Sequence, residues 1–425
     1  MGGVDGLGNP LSTDERTAAL WRDFCLRFQR QRSGAGDALR KVLSSDPHFG
    51  IARATAAVMG GSFGDPDFDA NDEVEAARNG AAEHGWERSY VEAASVAADH
   101  GPLWGSVDHW FAHHDGCPTD LNGLLLALIG AVTSVDASRH QEIRRRVEWT
   151  HAEVGDEPMV LGLRGMEAQE RDELDAAEQF AVRALELDPT GSDGAHPMAH
   201  VHFERGDHRA GAAWLDEWLP TTDQDADFTT HLYWHAALHR LVLGDIDQVL
   251  ATYVDRLCGA GPRALPDRTS MLWRLQLHGL VGPGEDPSDT AIDEELAARI
   301  GFIPFAFAGT QVALGLAASG DADSLRRLAE TAATSKTPGA TTLVHPISLA
   351  LADRIDGDHS AASDRLLAIE HDVPLLGGSH AQREVFEDTL IETLIRAGRT
   401  EDASTRLRAR LGRRPSALDE AWLAR

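Results

Sequence analysis

Histidines crowd one stretch of the chain. His196, His200 and His202 are followed by His231, His235 and His239, and then by His278, with Trp234, Asp267, Trp273 and Arg274 among them. Imidazole is the side chain that gains and loses a proton near neutral pH, and it is the commonest metal ligand. His231, His235 and His239 recur every fourth residue, which places all three on one face of a helix. Asp267, Met271, Arg274 and His278 follow one face of a later segment, with Asp267 expected as its N-cap behind Pro266. Pro197 disfavours helical backbone at His196 and suits the first helical position. The sequence therefore predicts a helix starting at Pro197, with His196 at its cap and His196/His200 a poorer pair than its spacing suggests.

Two chemistries fit such residues. A metal-free acid or base would be His235 or His231, held by Asp267 or Glu204. A zinc protease would need HExxH, but Met198 and Ala199 stand inside the first HxxxH and Ala236 inside the second, so no glutamate is placed as general base. The expectation is therefore no metal and no cofactor. Gly-rich phosphate loops with a flanking strand and the GxSxG serine elbow are absent.

The elements that must position these side chains are repeats. Gly165, Ala177, Ala184 and Pro189 fall at the small-residue and proline positions of a tetratricopeptide repeat. A turn of glycine plus a polar residue then recurs at Gly206-Asp207, Gly244-Asp245, Gly320-Asp321, Gly357-Asp358 and Gly398-Arg399, with a missing member expected near Gly282-Pro283-Gly284. Glycine suits the left-handed residue that ends one helix, and aspartate suits the cap of the next. Alternating β-branched segments are nearly absent. The expected fold is all-α, a tetratricopeptide-repeat-like α-solenoid built as a superhelix of antiparallel helix pairs. It comprises an irregular N-terminal region (1–155), central repeats with the His/Trp/Arg cluster (156–280) and C-terminal repeats (281–425), all one continuous array. Polar inserts are expected at Thr221–Asp227 and Gly279–Asp289.

In the N-terminal third, Ser12 and Glu15 suggest a capping box before Leu20, Trp21, Phe24 and Phe28. Helices follow at about 37–43, 50–59, 73–83 and 87–100, with turns at Gly101-Pro102 and Gly116-Cys117-Pro118. The apolar run Leu121–Val135 contains Asn122, Thr133 and Ser134 and reads as a buried helix, too short to span a bilayer.

The 425 residues are 42% hydrophobic and carry a formal charge of −29, which argues against nucleic acid and anionic membranes as partners. Cys25, Cys117 and Cys258 are far apart with no CxxC, which fits a reducing cytoplasm. Lysine occurs only at positions 41 and 336, and the Ala/Gly/Arg-rich composition suggests a bacterial source.

Several blocks carry a resemblance. His200-Val201-His202-Phe203-Glu204, Gly211, Trp214-Leu215, His231, Trp234-His235, Ala237-Leu238, Leu243-Gly244 and Tyr253 resemble the tetratricopeptide repeat protein 38 family. So do Asp267 with Leu272-Trp273-Arg274-Leu275 and Leu277-His278-Gly279, and the late block Gly377-Gly378-Ser379-His380-Ala381-Gln382-Arg383 with Phe386 and Leu390. The resemblance implies the helical-repeat fold and a shared pocket, with no known reaction. Where that family tends to carry an Asp-x-His-like pair, this chain has Phe302-Ile303-Pro304-Phe305-Ala306-Phe307. Ser379 is read as a helix cap, with Gln382 and Arg383 in the first turn, and His345-Pro346 as a helix start.

In repeats of this kind the first helices line the concave face. The leading functional expectation is a protein that binds a small molecule or short peptide in a cavity lined by His196, His200, His231, Trp234, His235, Asp267, Trp273, Arg274, His380, Gln382 and Arg383. The alternatives are a metal-independent enzyme of small-molecule metabolism using His235, and a protein-interaction scaffold; a homo-oligomer is compatible with any of them.

Overall fold

Chain periodicity converts directly into helices. The structure, a computed structural model, describes residues 2–100, 103–259, 264–288 and 292–424. The expected Gly101-Pro102 turn and Asp289, the end of the second insert, lie outside the described residues. Among the described residues there is no β-strand, only two isolated bridges, and helices follow one another from Glu15 to Leu423. No helix among them is long and apolar enough to cross a membrane.

The chain forms two compact units: residues 1–164 with 183–194, and residues 165–182 with 195–425. The second unit runs through position 280 without a division.

In the first unit the helix Glu15–Gln29 buries Trp21 and Phe24, whose rings lie 5.0 Å apart, and Phe24 stacks on Phe28 at 5.5 Å. Its cap is Asp14, whose carboxylate accepts from the Thr17 amide, so the expected Ser12/Glu15 box does not form. Ser12 instead donates its amide to Glu87 at 2.8 Å, a carboxylate 75 residues away that no local pattern could supply. Helices occupy Ala35–Ser45, Gly50–Ser62, Ala70–Arg78 and Gly85–His100. The apolar run is the helix Leu121–Thr133, capped by Asp120, which accepts from the Asn122 and Gly123 amides.

The second unit is built by one repeated turn. At Gly206, Gly244, Gly320, Gly357 and Gly398 the backbone is left-handed, and the amide one residue on closes a 2.9–3.0 Å bond to the carbonyl five residues back. This satisfies carbonyls at the helix end and reverses the chain. The sixth member is Gly279, not the Gly282–Gly284 segment: its φ is +71° and Leu280 donates to the Leu275 carbonyl at 2.9 Å. An earlier turn uses Asp172 at φ +62°, with Glu173 donating to the Ala168 carbonyl. The expected N-cap role of aspartate holds at Asp321 and Asp358, whose side chains accept from Ser324 and Ala361.

First helices of successive pairs are Ser192–Glu204, Asp227–Leu243, Ala264–Leu277, Ala306–Ala318, His345–Ile355 and His380–Arg396. The pairs pack closely where side chains are small. Gly165 faces the Pro197 ring, with only 2.9 Å between an added Cβ and the Pro197 Cβ. Ala168, Ala177 and Val201 form the adjoining core.

Candidate functional site

The helix carrying the first histidines spans Ser192–Glu204 with Pro197 inside it, so His196 is a helical residue and not a cap. Proline removes one backbone bond there, and its ring packs against Gly165 in compensation. The His196/His200 pair is consequently intact, its Nε2 atoms 3.1 Å apart. His231, Trp234 and His235 come from the next first helix, Asp227–Leu243. Asp267 is likewise inside its helix, Ala264–Leu277, and not at its cap. Its carboxylate meets His231 Nδ1 at 2.9 Å.

Four imidazoles thus converge. His196 lies 4.7 Å from His200, 5.0 Å from His231 and 5.3 Å from His235, between ring centroids. His235 lies 4.4 Å from His200 and 4.7 Å from His231. Trp234 backs the group, stacked on His231 at 5.2 Å and edge-on to His235. His200 and His235 are fully buried, while His196 and its neighbour Phe228 are half-buried and form the side open to solvent.

Burial disfavours the charged form of His196, His200 and His235. Desolvation, followed by the neighbouring imidazoles, pushes His235 and His196 well below the usual histidine range. Desolvation lowers His200 to about 4, against the pull of Glu170 and Glu204. Neutral imidazoles each have one N–H and one lone pair to satisfy. His235 has no partner at either nitrogen, and His200 none at Nδ1.

The other residues expected in the same cavity are occupied elsewhere in the unit. Trp273 donates its indole N–H to Thr389 at 2.9 Å and carries the Arg354 guanidinium on its face. Arg274 donates to the Ala381 carbonyl at 2.7 Å, sits 3.6 Å from Asp388 and lies over Trp234, so it joins the cluster only through that ring. His380 pairs with Glu204 at 2.8 Å, Arg383 with Glu170 at 2.6 Å, and Gln382 completes the capping box of Ser379. The helix His380–Arg396 therefore covers the face of Ala264–Leu277 that was expected to be concave and open. Sequence alone could not reveal this, because Thr389 and Ala381 lie more than a hundred residues from the groups they receive. His278 stacks on Trp422 at 4.3 Å.

Sequence reasoning also missed a second imidazole pair. His208 and His239 face each other through their Nδ1 atoms at 3.2 Å, with Phe203 edge-on to both. The signal was present in the spacing of His239 from His235. A groove of about 740 Å³ opens beside this pair, lined by Asp207, His208, Val242, Leu243, Pro415 and Glu420. None of the four converging imidazoles lines this groove.

Cys25, Cys117 and Cys258 are free thiols. No protein-family model matches the chain.

Proposed function

We propose that this chain is a helical-repeat binding protein whose second unit takes up a small ligand at the imidazole cluster of His196, His200, His231 and His235. One observation carries the reading: His235 is fully buried with both ring nitrogens unpartnered, in contact with three other imidazoles. A buried polar group left unsatisfied costs about 1–3 kcal/mol, so a folded site that keeps several is one completed by a bound partner. The half-buried His196 and Phe228 mark the approach. The free cysteines and acidic surface fit a cytoplasmic setting, and the likeness to the tetratricopeptide repeat protein 38 family supports a shared pocket at these blocks.

Native mass spectrometry of the purified full chain tests the reading. The expected result is a folded mass above the denatured mass, with the excess absent from a His196→Ala/His231→Ala variant that keeps its helical circular dichroism. An unliganded mass in both, with tryptophan fluorescence equal for Trp234 and for a Trp234→Phe variant during ligand screening, overturns it.

A second reading is favoured by one geometry. The His231–Asp267 pair has the arrangement of an oriented base, since Asp267 fixes the proton on Nδ1 and leaves the Nε2 lone pair for chemistry. If the protein is a metal-independent enzyme, His231 and not His235 is the base, because His235 has no carboxylate to orient it.

A further inference from the structure

The proton inventory of the cluster does not close with protein groups alone. Asp267 accepts from His231 Nδ1–H, so the tautomer with its proton on Nδ1 presents a bare lone pair at Nε2. That lone pair faces His196 Nε2 at 3.2 Å, and His196 Nε2 also faces His200 Nε2 at 3.1 Å. One hydrogen on His196 must then serve two acceptors. If it does, His200 carries its proton on Nδ1, which is buried without an acceptor. If His200 instead carries it on Nε2, it points at a nitrogen already protonated. His235 is left with a donor and an acceptor unmatched in either case. Every tautomer assignment leaves at least two buried nitrogen positions unsatisfied.

A cation that accepts lone pairs takes one nitrogen of each ring, so it gives a common partner to the Nε2 atoms that face one another and to one nitrogen of His235, while the second N–H of His200 and of His235 stays buried. Tetrahedral zinc binds imidazole nitrogen at about 2.0–2.1 Å, which separates the nitrogens by roughly 3.3 Å. The Nε2 pairs of His196 with His200 and of His196 with His231 already stand at 3.1 and 3.2 Å. Ligand atoms of His196, His231 and His235 lie within 4.8 Å of one another. The His231–Asp267 bond is the outer partner that metal-bound histidines carry, fixing the tautomer and raising ligand basicity. The sequence argument against metal rested on the HExxH pattern, in which one helix supplies both ligands and the base. Here two neighbouring helices supply the imidazoles and a third supplies the carboxylate.

We infer that His196, His231 and His235, with His200 against His196, form a binding site for a divalent transition-metal ion of the zinc class, with Asp267 positioning His231. All-imidazole ligation suits zinc and its borderline neighbours cobalt, nickel and copper, not magnesium or calcium. This inference names the ligand class for the binding site proposed above and rests on that reading.

The test is a titration of the chelator-stripped full chain with zinc chloride alone and with cobalt(II) chloride, followed by calorimetry and visible absorption. The expected result is one equivalent of zinc per chain, a cobalt spectrum with the intense bands of tetrahedral nitrogen ligation, and no binding of magnesium. Asp267→Asn is expected to keep the stoichiometry and weaken zinc about 10- to 100-fold, as loss of an outer partner does. His196→Gln/His231→Gln is expected to abolish the site while His208→Gln leaves it intact. Absence of stoichiometric zinc and cobalt binding by the wild-type chain overturns the inference, and so does binding unchanged in His196→Gln/His231→Gln, which would locate the ion elsewhere. An organic mass retained by the wild type and lost in His196→Ala/His231→Ala, together with no metal uptake, overturns the metal while the binding-site reading stands. Neither mass nor metal overturns both.

Discussion

His231 and Asp267 are joined across 36 residues by a 2.9 Å bond between Nδ1 and Oδ1, and both are buried. The bond links consecutive first helices of the repeat, and it decides which nitrogen of His231 looks into the cluster. A backbone register set by Gly244 and Gly279 thereby reaches the chemistry, since those glycines end the two helices that carry the pair.

Replacing Asp267 by Asn should release that choice. An amide can accept from Nδ1 or donate to it, so His231 is expected to populate both tautomers. In the wild-type protein, imidazole ¹⁵N shifts should report a protonated Nδ1 and a bare Nε2. The variant should show averaged values and lose about 1–2 kcal/mol in urea unfolding, the difference between a charged and a neutral hydrogen bond. Unchanged shifts would mean that the carboxylate does not set the tautomer.

The repeat architecture was legible because it is local: a glycine with positive φ followed by a cap needs only adjacent residues to be recognised. Gly279 is harder to single out, because Gly282 and Gly284 stand close by in a loop of similar composition. The four converging histidines were legible from their spacing, but Pro197 was given too much weight. Its cost depends on what packs against the ring, and Gly165 stands in a different helix. The placement of Trp273, Arg274, His380 and Arg383 in one cavity rests on the repeat phase of their helices and on the resemblance of their blocks, neither of which shows what packs against each side chain. Their partners, Thr389, Ala381, Glu204 and Glu170, become neighbours only when the repeats stack.

Gly378 should tolerate substitution less well than Gly320. Both are left-handed, at φ +71° and +73°, where alanine costs about 1–2 kcal/mol. An added Cβ at Gly320 meets open space, whereas at Gly378 it would stand 2.7 Å from the Phe307 ring. Urea unfolding of Gly378→Ala is therefore expected to show a loss at least about 1 kcal/mol larger than that of Gly320→Ala, from the added overpacking. Equal losses would show that the Phe307 ring moves freely aside.

Arg410 anchors the C-terminal helices. It donates to Asp388 at 2.6 Å and to Asp419 at 2.7 and 3.1 Å, and it lies 3.1 Å from Glu384, all of them buried. Arg414 pairs with Glu384 and, at 3.2 Å, with Glu204. Burial opposes charge on Glu384, but Arg414 and Arg410 outweigh it and hold that carboxyl well below its usual range. Arg410→Ala leaves Asp419 without its arginine, and Asp388 and Glu384 with only Arg274 and Arg414, and is expected to cost about 3–5 kcal/mol, as removal of one partner from a buried pair does. Thermal unfolding followed by limited proteolysis should show residues 400–424 released first. A loss below about 1 kcal/mol would place the network in water, where ion pairs contribute little.

His114 should make the first unit acid-sensitive. Its Nδ1 accepts from Arg146 at 3.1 Å, and its Nε2–H donates to Thr150, whose hydroxyl passes its proton to the Pro118 carbonyl. That chain requires a neutral ring. Burial first, and then the Arg146 charge, lower its pKa to about 4, against about 6.5 when unfolded. Between those values the unfolded chain holds more protons, so stability rises with pH. The contribution is complete above about pH 6.5 and is lost as pH falls toward 4. Asp193 acts with the opposite sign, because burial raises its carboxyl to about 7 and its contribution fades as pH rises. The measurement is therefore a difference: wild type against His114→Gln, unfolded in urea at pH values from about 7 down to about 4.5. Glutamine keeps an acceptor and a donor but takes up no proton. Wild type is expected to lose more stability on acidification than the variant, by up to about 1.4 kcal/mol per pH unit. Parallel curves would mean that His114 is free to charge in the folded chain, and the Arg146–His114–Thr150 chain would then not be the arrangement populated in solution.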